Sequence, residues 1–104
     1  MNRGPGSDWT FLTNHSHVLL CLVEDSTMRI RDIAAAVGIT QRAVQKIISD
    51  LEEAGYIKRR REGRRNCYEI NTELRLRHPL EADRTLAALI ALIHGRNPAR
   101  TKSS

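Results

Sequence analysis

The residues best suited to chemistry in this 104-residue sequence form one short basic run, residues 58–66. The run KRRREGRRN holds six of the 17 lysines and arginines and one of the 12 acidic residues, which leaves 11 of each sign elsewhere. The positive charge is therefore concentrated at one place. Dense guanidinium groups neutralise phosphates and release their counterions, so the run predicts contact with a polyanion. The alternative is a solvated charged surface with no partner.

The sequence on either side of the basic run predicts a β-hairpin that carries it. Tyr56 and Ile57 begin one strand, and residues 67–70 alternate as the two faces of a second strand would require. Gly63 lies between the strands, where the chain must turn. Gly55 is suited to end the preceding helix, because glycine adopts positive φ without a Cβ penalty. An arginine-rich hairpin that follows a helix is typical of a DNA-binding wing.

Residues 30–51 predict two helices joined by a tight turn. Apolar residues recur at helical spacing in both segments, and they form one stripe on the second helix. Gly38 ends the first helix, Ile39 packs the turn into the core, and the side-chain oxygen of Thr40 caps the second helix. This combination predicts a helix-turn-helix. The alternative is two ordinary helices of an α-helical bundle.

The face of the second helix opposite its apolar stripe carries side chains suited to base edges and phosphates. In the major groove, arginine pairs bidentately with guanine and glutamine pairs with adenine. From this helix we expect DNA contacts by Thr40, Gln41, Arg42, Gln45, Lys46 and Ser49. From the hairpin we expect contacts to backbone or minor groove by Lys58, Arg59, Arg60, Arg61, Arg64, Arg65 and Asn66. The acidic residues Asp50, Glu52 and Glu53 are expected to point away from the DNA.

In its order of helix, short strand, helix, glycine turn, recognition helix and basic hairpin, the chain resembles the winged helix-turn-helix of MarR-type and ArsR-type transcriptional regulators. The resemblance covers residues 13–72, and its most specific parts are residues 31–44, the LEEAGYI junction at 51–57 and the GRRN motif at 63–66. It implies binding of duplex DNA, usually by a dimer on a pseudo-palindrome. The Cys-x-Cys or His/Asp cluster of metal-sensing ArsR-type proteins is missing from the recognition helix, and no cofactor or effector can be assigned.

A second apolar segment near the end of the sequence predicts a helix from about residue 79 to residue 94. Residues 86–93 are all Leu, Ile or Ala, although a helix on a small domain needs only one apolar stripe. The additional apolar residues predict a homodimer in which this helix packs on the same helix of a second subunit. The expected interface residues are Leu86, Leu89, Ile90, Leu92 and Ile93. All of these except Leu92 can also pack on their own domain, and burial wholly within one domain, under residues 9–12, is the alternative.

The predicted fold is therefore an α+β winged helix-turn-helix, with a three-helix core, a β-hairpin wing and a C-terminal helix. Residues 1–12 form an N-terminal arm, with its apolar residues 9–12 packed on the domain, and residues 13–72 form the DNA-binding domain. Residues 73–94 form a connector and dimerisation helix, and residues 95–104 form a disordered basic tail.

Several function classes are not expected from this sequence. Neither a nucleophile with its base nor a glycine-rich phosphate loop can be traced, and the four histidines and scattered aspartates form no site, so an enzyme or metal protein is not expected. No segment is long enough to span a bilayer. Cys21 and Cys67 lack metal-binding spacing, which indicates a reduced, cytoplasmic protein. A redox switch at Cys67 is an open alternative.

Two other functions compete with sequence-specific DNA binding. Winged helices also serve as protein-interaction modules, which the basic wing disfavours. A binder of structured RNA is the second competitor. The sequence has only one Trp, two Tyr and one Phe, which disfavours recognition of single strands by base stacking.

Overall fold

The computed structural model describes residues 9–94, which form four helices and one two-stranded antiparallel sheet. In chain order the elements are α1 (Asn14–Glu24), α2 (Ile30–Val37), α3 (Gln41–Glu53), β1 (Ile57–Glu62), β2 (Arg65–Ile70) and α4 (Leu86–His94). This architecture confirms the predicted α+β fold of a three-helix core, a hairpin wing and a C-terminal helix. The predicted tail and the first eight residues of the predicted arm lie outside the described residues.

The core lies where the first three helices meet. Its fully buried side chains are Val18 and Leu22 of α1, Ile33 of α2 and Val44 of α3. Burial of one such side chain stabilises the fold by about 1.5–3 kcal/mol. The hairpin and α4 close the remaining sides of this core, because Ile57, Tyr68 and Leu86 are also buried against it.

The turn between α2 and α3 has the geometry that its residues predict. Gly38 has φ 88°, and its backbone N–H donates to the carbonyl of Ala34 at 2.8 Å. Ile39 then packs partly buried against the core. At the start of α3, the Thr40 hydroxyl oxygen accepts a hydrogen bond from the backbone N–H of Ala43 at 3.0 Å. The glycine bends the chain, and the threonine satisfies an amide that the helix leaves unpaired.

Thr40→Ala should lower the free energy of unfolding by about 1 kcal/mol, because it removes the oxygen that caps α3. Thr40→Ser keeps the oxygen and is the matched control. Urea unfolding followed by circular dichroism measures both variants. Equal midpoints for Thr40→Ala and the wild type would show that the cap contributes nothing to stability.

The wing is a regular hairpin with its six residue pairs in register from Ile57↔Ile70 to Glu62↔Arg65. Gly63 and Arg64 form its two-residue turn. Gly63 has φ 64°, whereas no non-glycine residue between 9 and 94 has positive φ. Positive φ at the first turn position alone is the pattern of a type II′ turn, which matches the twist of antiparallel strands.

The short strand expected between the first two helices is not found among the described residues. Asp25 instead holds this segment in a turn, since its carboxylate accepts hydrogen bonds from the backbone N–H and the hydroxyl of Thr27, at 3.0 and 2.9 Å. These bonds, the backbone one first, lower the pKa of Asp25. One backbone bond to the wing remains, from the N–H of Tyr68 to the carbonyl of Ser26 at 3.0 Å.

The expected start of the last helix near residue 79 is wrong, because α4 begins only at Leu86. The amides before it pair across a loop, with Leu76 N–H donating to Arg84 at 3.0 Å and Leu86 N–H donating to Leu74 at 2.8 Å. The hydroxyl oxygen of Thr85 accepts from the N–H of Ala88 at 3.3 Å and so caps the helix. Proline at residue 79 suits a first turn of helix, but the long-range backbone pairing decides the boundary.

The aromatic residues before α1 do not pack on the domain as expected. Trp9 is 68% exposed and Phe11 is 91% exposed. The two rings contact each other edge to face, with centroids 5.1 Å apart. Most of the surface of both side chains therefore remains in contact with water.

Candidate nucleic-acid interface

Helix α3, the expected recognition helix, buries one face and exposes the other. Val44, Ile47, Ile48 and Leu51 are buried, which accounts for the apolar stripe. The six polar residues expected to face DNA are all exposed: Thr40, Gln41, Arg42, Gln45, Lys46 and Ser49. Because residues three and four apart are neighbours on a helix surface, the last four of them form one continuous strip. The fold thus presents hydrogen-bonding groups along one side of α3.

Lys46 is the member of this strip that has a protein partner. Its ammonium group donates to the Asp50 carboxylate at 2.8 Å, one helical turn further on. The other oxygen of Asp50 lies 2.9 Å from the Nε2 of His15. Asp50 therefore has two partners, one on α3 itself and one on α1. The hydrogen bonds from Lys46 and then His15 lower the pKa of Asp50, so the bridge is present at neutral pH and is lost as the pH falls through that lowered value.

The basic residues of the wing are all exposed but divide into two groups. Three are engaged within the protein: Arg59 with Glu52, Arg60 with Glu69, and Arg65 with the backbone carbonyl of Thr27. The side chains of Lys58, Arg61 and Arg64 make no ion pair or hydrogen bond with any residue that the structure describes. Asn66, the last residue expected to contact DNA, is half-buried.

The acidic end of α3 is connected to the wing. Glu52 reaches the wing and holds the Arg59 guanidinium with both carboxylate oxygens, at 2.9 and 3.0 Å. No periodicity in the sequence joins these two residues, because the chain turns from helix to strand between them. The sequence alone therefore did not predict the contact of Glu52 with Arg59 or that of His15 with Asp50.

The five residues expected at a dimer interface differ in how much surface they leave open. Leu86 is 2% exposed and belongs to the core, so a partner has almost none of its surface to contact. Leu89 and Ile90 are partly buried against the same core. Leu92 is 76% exposed and Ile93 is 46% exposed. Of these five residues, the two that leave most apolar surface open therefore lie at the C-terminal end of α4.

The cysteines and the possible metal ligands of residues 9–94 do not form a second site. Cys21 and Cys67 are free and half-buried, and burial raises the pKa of the Cys21 thiol. Between residues 9 and 94, no three or more His, Cys, Asp or Glu side chains come together in a way that could hold a metal ion. None of the helices in that range is long and apolar enough to cross a membrane.

Three comparisons with known proteins show what this chain is similar to. The family described as winged helix-turn-helix DNA-binding matches residues 12–58, from the start of α1 into β1. No curated protein matches the chain. Among solved structures, the chain is similar to that of the zinc-dependent MarR family transcriptional regulator AdcR in its Zn(II)-bound state, with 22% identity and a TM-score of 0.46. The match covers 65% of this chain and 49% of that one, so the chain spans about half of its length.

Proposed function

We propose that this chain is a sequence-specific transcription regulator, because the family described as winged helix-turn-helix DNA-binding matches residues 12–58. In this proposal α3 enters the major groove, and the wing contacts the backbone or the minor groove. The MarR-type assignment rests on the LEEAGYI and GRRN motifs of the sequence. The regulator is proposed to bind as a homodimer, through the open end of α4.

One observation carries the proposal, namely that α3 exposes its polar strip and the wing keeps three cations without an ion-pair partner among residues 9–94. Arg42, Gln45 and Ser49 are free of ion pairs and side-chain hydrogen bonds among residues 9–94, so binding bases costs no internal contact. Each offers donors or acceptors that match base edges in the major groove. The unpaired Lys58, Arg61 and Arg64 supply the sequence-independent attraction to phosphates.

Duplex DNA suits this surface better than RNA or a protein partner. The major groove of B-form DNA admits an α-helix, whereas that of A-form RNA is too deep and narrow for side chains to read. Tyr56 and Tyr68 are buried and offer no platform for stacked bases. Competition between B-form and A-form duplexes of the same sequence distinguishes the two nucleic acids, and a protein partner would bind without the salt dependence of phosphate contacts.

The test of the proposal is the salt dependence of DNA binding. Arg61→Ala combined with Arg64→Ala should reduce the slope of log K against log salt by about 1 to 2. The reason is that fewer counterions are released from the DNA when fewer phosphates are contacted. Fluorescence anisotropy with a labelled duplex, at several salt concentrations, measures the slope. Arg77→Ala combined with Arg84→Ala removes the same charge from the connector and is the matched control. Equal slopes for both double variants would contradict a wing that binds phosphate.

A further inference from the structure

We propose that Arg59 is a positioning residue that fixes the wing against the recognition helix, and that it does not itself bind a DNA phosphate. The inference rests on the proposed function, since it assigns a different role to one of the wing residues expected to contact DNA. If this inference holds, the side chains of the basic run have two different roles. One part holds the wing in place, and the other part contacts the nucleic acid.

The guanidinium of Arg59 is held on two of its nitrogens. Its Nε donates to one oxygen of Glu52 at 3.0 Å, and its Nη2 donates to the other oxygen at 2.9 Å. This paired geometry is the strongest form of an arginine–carboxylate contact, and it fixes direction as well as distance. The hydrogen bonds that Arg59 donates to Glu52 raise the pKa of Arg59 further. A phosphate would have to displace both bonds to take the place of the Glu52 carboxylate on the Nε and Nη2 side of the guanidinium.

The same guanidinium also lies over an aromatic ring. Arg59 and Tyr68 are directly opposite one another in the hairpin, and the Cζ of Arg59 is 6.0 Å from the centre of the Tyr68 ring. Side chains of opposed residues lie on the same face of an antiparallel pair, and a cation at this distance is attracted to the ring. Tyr68 is itself buried, and its N–H donates to the Ser26 carbonyl. Arg59 is therefore held between a helix and a fixed ring.

A wing of two strands needs such a support, because an isolated hairpin is marginally stable in water. Arg59 joins the root of β1 to α3, and Arg65 joins the start of β2 to the Thr27 carbonyl at 2.7 Å. An ion pair between Arg60 Nη1 and Glu69 Oε2, 2.7 Å apart, connects the two strands to each other. With the wing supported in this way, Arg61 and Arg64 keep a defined position relative to the bases that α3 contacts.

The direction in which DNA affinity changes when Glu52 is replaced tests its role. Removal of a negative charge close to DNA should strengthen binding if Glu52 acts only through its charge. If Glu52 holds Arg59, its removal should weaken binding, because the wing loses its fixed position. The two roles therefore predict opposite directions for the same substitution.

The experiment compares Arg59→Ala, Glu52→Gln, their double variant and Arg61→Ala, by anisotropy with one labelled B-form duplex over a salt series. Arg61→Ala should lower the salt slope by about 0.9. Arg59→Ala and Glu52→Gln should each weaken binding about two- to fivefold, the size expected from an exposed ion pair, with the wild-type slope kept. The double variant should bind no more weakly than either single variant, because both changes break one contact.

A measurement without DNA separates this inference from the proposed function. Glu52→Gln should speed hydrogen exchange at the β1 and β2 amides, while the amides of α1 keep the exchange rate of the wild type. Tighter DNA binding by Glu52→Gln, a lower salt slope for Arg59→Ala, or unchanged wing exchange would each overturn the positioning role. A wild-type protein that shows no salt-dependent DNA binding would overturn the proposed function, and the exchange result would still decide whether Arg59 supports the wing.

Discussion

Leu92→Glu should convert a dimer of this chain into a monomer at micromolar concentration, without lowering the stability of the domain. Leu92 is 76% exposed, so the domain itself gains little from it. In a two-fold interface each residue is used twice, and burial of one leucine is worth about 1.5–3 kcal/mol, so one substitution removes a large share of the association energy. Sedimentation equilibrium of the wild type and the variant measures the change.

Leu86→Ala is the matched control for this experiment, because it lies on the same helix but faces the core at 2% exposure. It should lower the free energy of unfolding by about 2–5 kcal/mol, through lost burial and the cavity left behind. Thermal unfolding distinguishes the two variants. A wild-type protein that sediments as a monomer would show that α4 serves its own domain and that the dimer is wrong.

A dimer would also constrain the DNA site. Two-fold symmetry places two recognition helices in successive major grooves, about 34–36 Å apart. The preferred site is then an inverted repeat with half-sites one helical turn apart. Selection of bound genomic fragments by the purified protein, followed by sequencing, gives the site directly. A single asymmetric site would contradict the two-fold model.

Arg42→Ala and Gln45→Ala should each weaken binding to the preferred DNA site by about 1 to 3 kcal/mol and binding to random DNA much less. Both side chains are exposed on α3 and lack an internal partner between residues 9 and 94, so each is available to pair with a base. Competition between the preferred duplex and a shuffled duplex measures the two losses for each variant.

Glu53→Ala is the control for the recognition strip, because Glu53 is exposed one turn beyond Ser49, at the acidic end of α3 that is expected to point away from the DNA. It should leave the ratio between the two duplexes unchanged. If Arg42→Ala and Gln45→Ala lose the same affinity for both duplexes, the two residues position the protein and do not read sequence.

The sequence was sufficient for the helix-turn-helix because the signals that form it are local. Gly38 and Thr40 end one helix and begin the next through their own backbone and side-chain chemistry, and the structure confirms both positions. The hairpin was predictable for the same reason, since strand alternation and a turn glycine are read within residues 56–70.

The parts that failed depend on contacts between distant residues. The start of α4 was placed too early, because the pairing of Leu86 with the carbonyl of Leu74 cannot be inferred from helical periodicity. The packing of Trp9 and Phe11 was expected from their hydrophobicity alone, but hydrophobicity does not say whether the domain leaves a site for them. The strand before α2 came from the family resemblance, and the local hydrogen bonds of Asp25 prevail over it.

The sequence by itself determined the fold and the location of the positive charge, because periodicity, capping and composition are properties of neighbouring residues. It could not determine which arginines are available for a ligand. Arg59 and Arg61 are two residues apart on the same strand, yet one is bound by Glu52 of the helix and the other has no partner among the described residues. Only the tertiary structure decides this, because the strength of an ion pair depends on the distance and orientation of groups that the folded chain brings together.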